Sequence, residues 1–122
     1  MLKYTKDHEI IKLDGDVMTI AITDYAKDAL GDLVFIDLPD IGKQVKAGQD
    51  FAVVESVKIA SEIYTPVAGE VVEVNSKLKD NVDVLKENIE TGWIAKIKVT
   101  DKSALAELMD EAQYNEYISG LH

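Results

Sequence analysis

Short β-prone runs broken by turn residues fill most of this 122-residue sequence, and that spacing commits the body of the chain to a β-sandwich or flattened barrel. Ile10–Leu13 and Val17–Ile22 flank Asp14-Gly15-Asp16, a hairpin signal because Gly tolerates a positive φ. Thr23 is placed to cap a short helix over Asp24–Leu30, and Gly31 to end it in the left-handed conformation. Leu33–Leu38, apolar on both faces and stopped by Pro39, reads as a well-buried strand. Further strands are expected at Phe51–Val57, Ala60–Thr65, Val71–Asn75 and Trp93–Val99. The tail changes period. Leu105, Leu108, Met109 and Ala112, continued by Tyr114, Tyr117 and Ile118, predict a C-terminal helical segment over about 101–119. Asp101 or Ser103 is the expected cap, a break is expected near Asp110, and the stripe should fill core against the sheet.

With 47% hydrophobic residues the chain can build one core, so a single domain over 1–122 is expected. No run approaches the roughly 18 apolar residues of a membrane span, and the opening residues carry no apolar signal segment, which predicts a cytoplasmic protein without a membrane partner. The formal net charge is -10 and every basic residue is Lys, so no nucleic-acid partner is expected. The same field suits repeated docking on basic protein patches, although simple solubility would produce it equally well.

Cysteine is absent, which removes disulfides, thiolate metal sites and a Cys nucleophile; sulfur redox chemistry would have to come from a cofactor. His8 and His122 stand at opposite ends of the chain without neighbouring ligands, so no metal site is expected. Neither a nucleophile elbow nor a phosphate loop occurs, and no set of nucleophile, base and oxyanion donor can be assembled. The chain is therefore expected to be a non-enzyme.

Two β-prone arms, Phe51–Val57 and Ala60–Tyr64, enclose Lys58 with no Gly, Pro or Asn to make the turn. A lysine between Val57 and Ile59 at such an apex fits a carrier, which needs an outward amine on a stiff tip; an ordinary exposed strand lysine fits the spacing as well. Val45-Lys46-Ala47-Gly48 and Leu78-Lys79-Asp80-Asn81 echo each other on either side of this segment, which suggests two similar halves about a pseudo-dyad.

Glu55-Ser56-Val57-Lys58-Ile59-Ala60-Ser61 resembles the lipoylation motif of the glycine cleavage H proteins. Similar blocks run along nearly the whole chain: Lys3–Glu9, Gly31–Pro39, Gly42, Tyr64–Val71, Asn75, Gly92-Trp93 and Leu108–Asp110. The resemblance implies a mainly β, lipoyl/biotinyl-type hybrid-motif fold with a short internal helix and a C-terminal helix. It also implies lipoic acid bound covalently to Lys58, with Glu55 and Gly69 at the positions that attachment enzymes favour. Biotinyl domains usually place Met on both sides of their lysine, where Val57 and Ile59 stand here, so lipoyl is preferred.

In the family, an aminomethyl group passes from glycine decarboxylase (P protein), a pyridoxal-phosphate enzyme, to a folate-dependent aminomethyltransferase (T protein). Dihydrolipoyl dehydrogenase (L protein) then reoxidises the carrier, and a lipoate ligase or lipoyltransferase loads it. The resemblance further implies that Asp7, Glu9 and Glu62 line a cleft that holds the protonated amine, although a solvated acidic face is the plainer reading of three carboxylates. Ile10 stands where the family has Trp, and Ile59 where it has Ala. Residues 82–91 run about one residue short, with Val82, Lys86 and Ile89 near the usual prolines and Asn. These departures bear on partner choice. They leave open a carrier for another lipoate pathway, such as sulfur oxidation or a lipoyl relay, and an unmodified structural β module.

Overall fold

The structure, a computed structural model, describes residues 2–121. Met1 and His122 lie outside the described residues. In chain order the strands and helices are β1 (Leu2–Tyr4), β2 (Glu9–Asp14), β3 (Val17–Ile22), α1 (Asp24–Leu30), β4 (Leu33–Asp37), β5 (Gln44–Val45), β6 (Asp50–Ser56), β7 (Ala60–Tyr64) and β8 (Gly69–Val74). They continue as α2 (Lys77–Asp80), a 3-10 turn (Val82–Lys86), α3 (Ile89–Gly92), β9 (Ala95–Val99), a second 3-10 turn (Ser103–Glu107) and α4 (Glu111–Ser119).

The strands form two antiparallel sheets, β1-β2-β3-β9-β8-β5 and β4-β6-β7. Alternation decides which faces meet. Met18, Ile20 and Ile22 of β3 and Ala95, Ile97 and Val99 of β9 turn inward, against Ala52 and Val54 of β6 and Ile63 of β7. Leu78 and Leu85, both almost fully buried, add the segment between β8 and β9 to the same core.

The first hairpin forms as its turn residues require: Asp14 pairs with Val17, and Gly15 takes φ 63. The Thr23 side chain accepts from the Ala26 N–H to cap α1. Gly31 does have a positive φ of 72, but its ψ of -137 lies outside the left-handed helical region expected of it. The tail breaks where expected. Asp110 caps α4 in a reciprocal box with Gln113, while the preceding turn starts after Lys102. The stripe packs in two places: Leu105 and Leu108 lie against the hydrophobic core, and α4 docks on β1, the edge strand of the larger sheet. Met109 and Tyr4 exchange backbone hydrogen bonds of 2.8 and 2.9 Å, and the Tyr4 and Tyr114 rings stack at 4.9 Å. Ala112 is exposed and Tyr114 alone in α4 is buried.

Two further expectations fail. β4 is not a well-buried strand: it lies at the edge of the three-stranded sheet, and only Ile36 in it is buried. The register passes from Leu33 opposite Ser56 to Phe35 opposite Glu55, so Val34 is an extra residue in a bulge that turns two successive apolar side chains outward. The internal echo also dissolves. Gly48 has φ 82, but Asn81 is extended at φ -150 and caps the 3-10 turn through the Asp83 N–H; Val45 lies on a strand, Leu78 on a helix.

Candidate functional site

β6 and β7 form a hairpin whose last paired residues are Glu55 and Ala60, which leaves Lys58 in the connecting turn. With no Gly or Asn available, Ser56 makes the turn. Its backbone N–H donates to the Ile59 carbonyl at 2.8 Å, and its Oγ accepts from the N–H groups of Lys58 and Ile59, both at 3.2 Å. The same hydroxyl donates to the Ile59 carbonyl at 3.2 Å. The Val57 N–H donates to the Asp32 carbonyl at 3.0 Å, tying the tip to the corner between α1 and β4. At that corner the lysine stem lies over Gly31, where a Cβ would sit at ordinary contact distance, 3.7 Å from Lys58 Cε and 3.8 Å from Nζ.

Lys58 is exposed and makes no ion pair among the described residues. An acyl group on Nζ would therefore break no ion pair among the described residues, and the backbone beneath it is held by four hydrogen bonds. Both features fit a covalently carried cofactor.

Glu55, one of the expected recognition residues, is exposed directly below the tip and opposite Ala60. Gly69, the other, lies in the six-stranded sheet, between Val45 and Val99. A Cβ on Gly69 would approach Ile97 Cγ2 to 2.6 Å and collide with the Lys98 carbonyl, so close packing of β8 on β9 already demands glycine there.

The three expected cleft carboxylates converge on Tyr64, at the end of β7 away from the tip. Glu62 Oε2 lies 3.5 Å from the Tyr64 hydroxyl, and Glu9 Oε2 accepts from the Tyr64 N–H at 2.8 Å. Negative charge on Glu62 first, then burial, Asp50 and Asp7, raises the Tyr64 phenol above its ordinary value. Glu62 and Asp7 are exposed, and Glu62 stands two strand positions, roughly 7 Å, from Ala60. Glu9 differs. It is 1% exposed, and its Oε1 accepts from the Thr5 hydroxyl at 3.0 Å. Burial pushes its carboxyl up to about 7, against the hydrogen bonds from Tyr64 and Thr5 that favour the ionised form. Glu9 thus clamps the N-terminal turn onto the end of β7, while Asp7 and Glu62 lie exposed around Tyr64.

Ser56, Gly31, Thr5 and Tyr64 were not singled out from sequence for these roles. Ser56 alone carried a local signal, a hydroxyl two residues before an apex that lacks a turn former.

The sequence model of the glycine cleavage H-protein family matches residues 2–120. The chain is 49% identical over 121 residues to the glycine cleavage system H protein of Parvibaculum lavamentivorans, covering 98% of this chain and 97% of that protein. It is 50% identical over 119 residues to that of Phenylobacterium zucineum, covering 97% and 98%. Among solved structures, a glycine cleavage system H protein from Mycobacterium marinum superposes with a TM-score of 0.87 at 34% identity, covering 97% of this chain and 96% of that one.

Proposed function

The chain belongs to the glycine cleavage H-protein family, and from that membership we propose that Lys58 is the residue that bears its lipoyl group. The protein carries lipoate covalently on a lysine and serves glycine cleavage as the lipoyl carrier. When bound, the dithiolane supplies a disulfide that can accept a group, be reduced and be reoxidised by exchange, which a chain without cysteine cannot do itself. The observation that carries the assignment to Lys58 is an exposed amine, without an ion pair among the described residues, at the apex of a hairpin whose turn is fixed by Ser56.

The chain's own residues hold, orient and shield. Ser56 and the Asp32 carbonyl keep the tip from collapsing, and Glu62 and Asp7 offer carboxylates to a protonated amine. Glu9 holds the strand end on which Tyr64 and Glu62 are mounted. All of these roles are positional, so the carrier catalyses no step itself. The whole of 1–122 acts as one carrier domain.

Working with the enzymes of glycine cleavage follows from the family. The specific partners we assign are the decarboxylase, the aminomethyltransferase, dihydrolipoyl dehydrogenase and a lipoate ligase or lipoyltransferase, met in the cytoplasm. Among the described residues no helix is long and apolar enough to cross a membrane. A carrier for sulfur oxidation or a lipoyl relay is not favoured by relatives that bear the glycine cleavage name across the full chain.

Reconstitution tests the reading. Lipoylated protein mixed with the pyridoxal-phosphate decarboxylase should support glycine-dependent exchange of CO₂, and Lys58→Ala should support none. Exchange that persists in Lys58→Ala would overturn the assignment.

A further inference from the structure

Among the described residues His8 is the one non-glycine residue with a positive φ, at 68. A residue with a side chain resists that conformation, so its surroundings must hold it there. Three contacts do. The Thr23 N–H donates to the His8 carbonyl at 3.0 Å, and the imidazole stacks on Tyr25 with ring centres 4.4 Å apart. The third contact comes from the other end of the chain: His8 Nδ1 lies 2.8 Å from the Tyr114 hydroxyl, which lies 2.8 Å from Thr23 Oγ1. A phenol can donate to one neighbour and accept from the other, so this one hydroxyl ties α4 to the cap of α1 and to the His8 turn. Tyr114 is itself a fixed reference, buried and stacked on Tyr4 at 4.9 Å.

What the turn carries gives this linkage a use. His8 stands between Asp7 and Glu9, and the two are held differently. Glu9 is pinned through its own side chain by Thr5 and Tyr64. The Asp7 side chain is exposed and makes no hydrogen bond or ion pair among the described residues, so the backbone alone decides where its carboxylate points. Relaxing φ of His8 to the ordinary negative range would rotate Asp7 by about 130° against the clamped Glu9.

We propose that the Tyr114 hydroxyl is a positioning group for the amine cleft: through His8 Nδ1 it keeps the turn left-handed and so aims the Asp7 carboxylate beside Glu62 and Tyr64. This rests on the reading that Asp7 and Glu62 hold the protonated amine of the loaded arm. A carboxylate that keeps the amine protonated also keeps the group on sulfur, because an ammonium has no lone pair to expel the thiolate. Once the amine is neutral, its lone pair forms a C=N bond as the C–S bond breaks. Water then adds to the carbon, the proton this frees goes to the thiolate, and formaldehyde and ammonia leave. Asp7, Glu62 and Asp50 are the carboxylates that act on Tyr64 there, with Glu9 buried behind them.

The test loads lipoylated full-length carrier with the decarboxylase and glycine, removes the enzyme, and follows release of formaldehyde and free thiol from pH 6 to 9. Tyr114→Phe keeps the ring and removes the hydroxyl; it should speed release at pH 7 by about threefold or more and move the pH profile to lower pH. His8→Asn, which tolerates a positive φ but is too short to reach Tyr114, should do the same, and the double variant should be no faster than the faster single one. Tyr117→Phe takes a hydroxyl from the same helix that makes no hydrogen bond to His8, and should release at the wild-type rate. Rates of lipoylation should match wild type in all of these. Asp7→Asn separates the two readings. Wild-type release in Asp7→Asn would sink the cleft, and this proposal with it. Fast release in Asp7→Asn with wild-type release in Tyr114→Phe, or additive effects in the double variant, would overturn the positioning role alone. Should Tyr114→Phe fail to fold, wild-type release in His8→Asn would overturn it equally.

Discussion

Replacing Glu9 with Gln should stabilise the protein at pH 8 and leave it unchanged near pH 4.5. Glu9 is 1% exposed, and burial lifts its carboxyl from an ordinary 4.5 to about 7 in the folded chain. Below pH 4.5 the group is protonated in both states and the fold bears no cost. Between 4.5 and 7 the folded chain keeps a proton that the unfolded chain has released, so stability falls as pH rises, and above 7 the loss is complete. At about 1.4 kcal/mol per pH unit, that interval amounts to a loss of about 3 kcal/mol. Gln keeps the geometry without the charge: its carbonyl can accept from the Tyr64 N–H and its amide can donate to the Thr5 hydroxyl. For a chain of this size about 3 kcal/mol corresponds to roughly 10 °C in Tm. The assay is thermal unfolding of wild type and Glu9→Gln in steps from pH 4.5 to 8, read by circular dichroism. Comparing the pair cancels other titrating groups, including His8, which burial pushes the opposite way. A gap between the two midpoints that stays constant across the series would refute the reasoning.

Ser56→Ala removes the acceptor for two N–H groups at the tip and should loosen residues 56–59, at a cost of about 1 kcal/mol, seen as faster amide exchange at Lys58 and Ile59 with the remaining strands unaffected. Gly69→Ala drives a methyl into Ile97 and the Lys98 backbone; it should lower Tm by several degrees and reduce the yield of folded protein, and a wild-type midpoint would argue that β8 can shift on β9 without penalty. Gly31→Ala is a backbone test, because the methyl itself meets Lys58 only at ordinary contact distance; φ 72 with ψ -137, a conformation side-chain-bearing residues rarely adopt, should cost about 1 to 3 kcal/mol in denaturant unfolding while Lys58 remains open to acylation.

What could be read along the chain is what local chemistry determines. The Gly15 hairpin, the Thr23 cap and the break at Asp110 each depend on one or two residues acting on their own backbone, and all three are in place. β4 was misread because a run that is apolar on both faces looks buried, and the bulge that turns Val34 and Phe35 into water depends on register with β6, not on β4 itself. The three short helical turns between β8 and β9 were missed for a different reason. Residues 77–92 are mostly polar, and their order comes from Leu78 and Leu85 reaching the core and from Asn81 and Asn88 capping.

The candidate site divides the same way. Lys58 was visible as a lone amine between two β arms, but the turn that presents it is made by a serine hydroxyl, and its seat at Gly31 comes from another part of the chain. Glu9 shows the limit of linear reading. In sequence it is one more acid in an acidic chain; in space it is buried, and it accepts a hydrogen bond from the Tyr64 N–H, 55 residues away.

Whether Lys58 bears the lipoyl group can be read by intact mass and peptide mapping after incubation with a lipoate ligase, ATP and lipoate. One lipoyl-sized gain confined to the peptide containing Lys58, and lost in Lys58→Ala, is the predicted result. No gain under conditions that load a known H protein, or a gain on any other lysine, would contradict it.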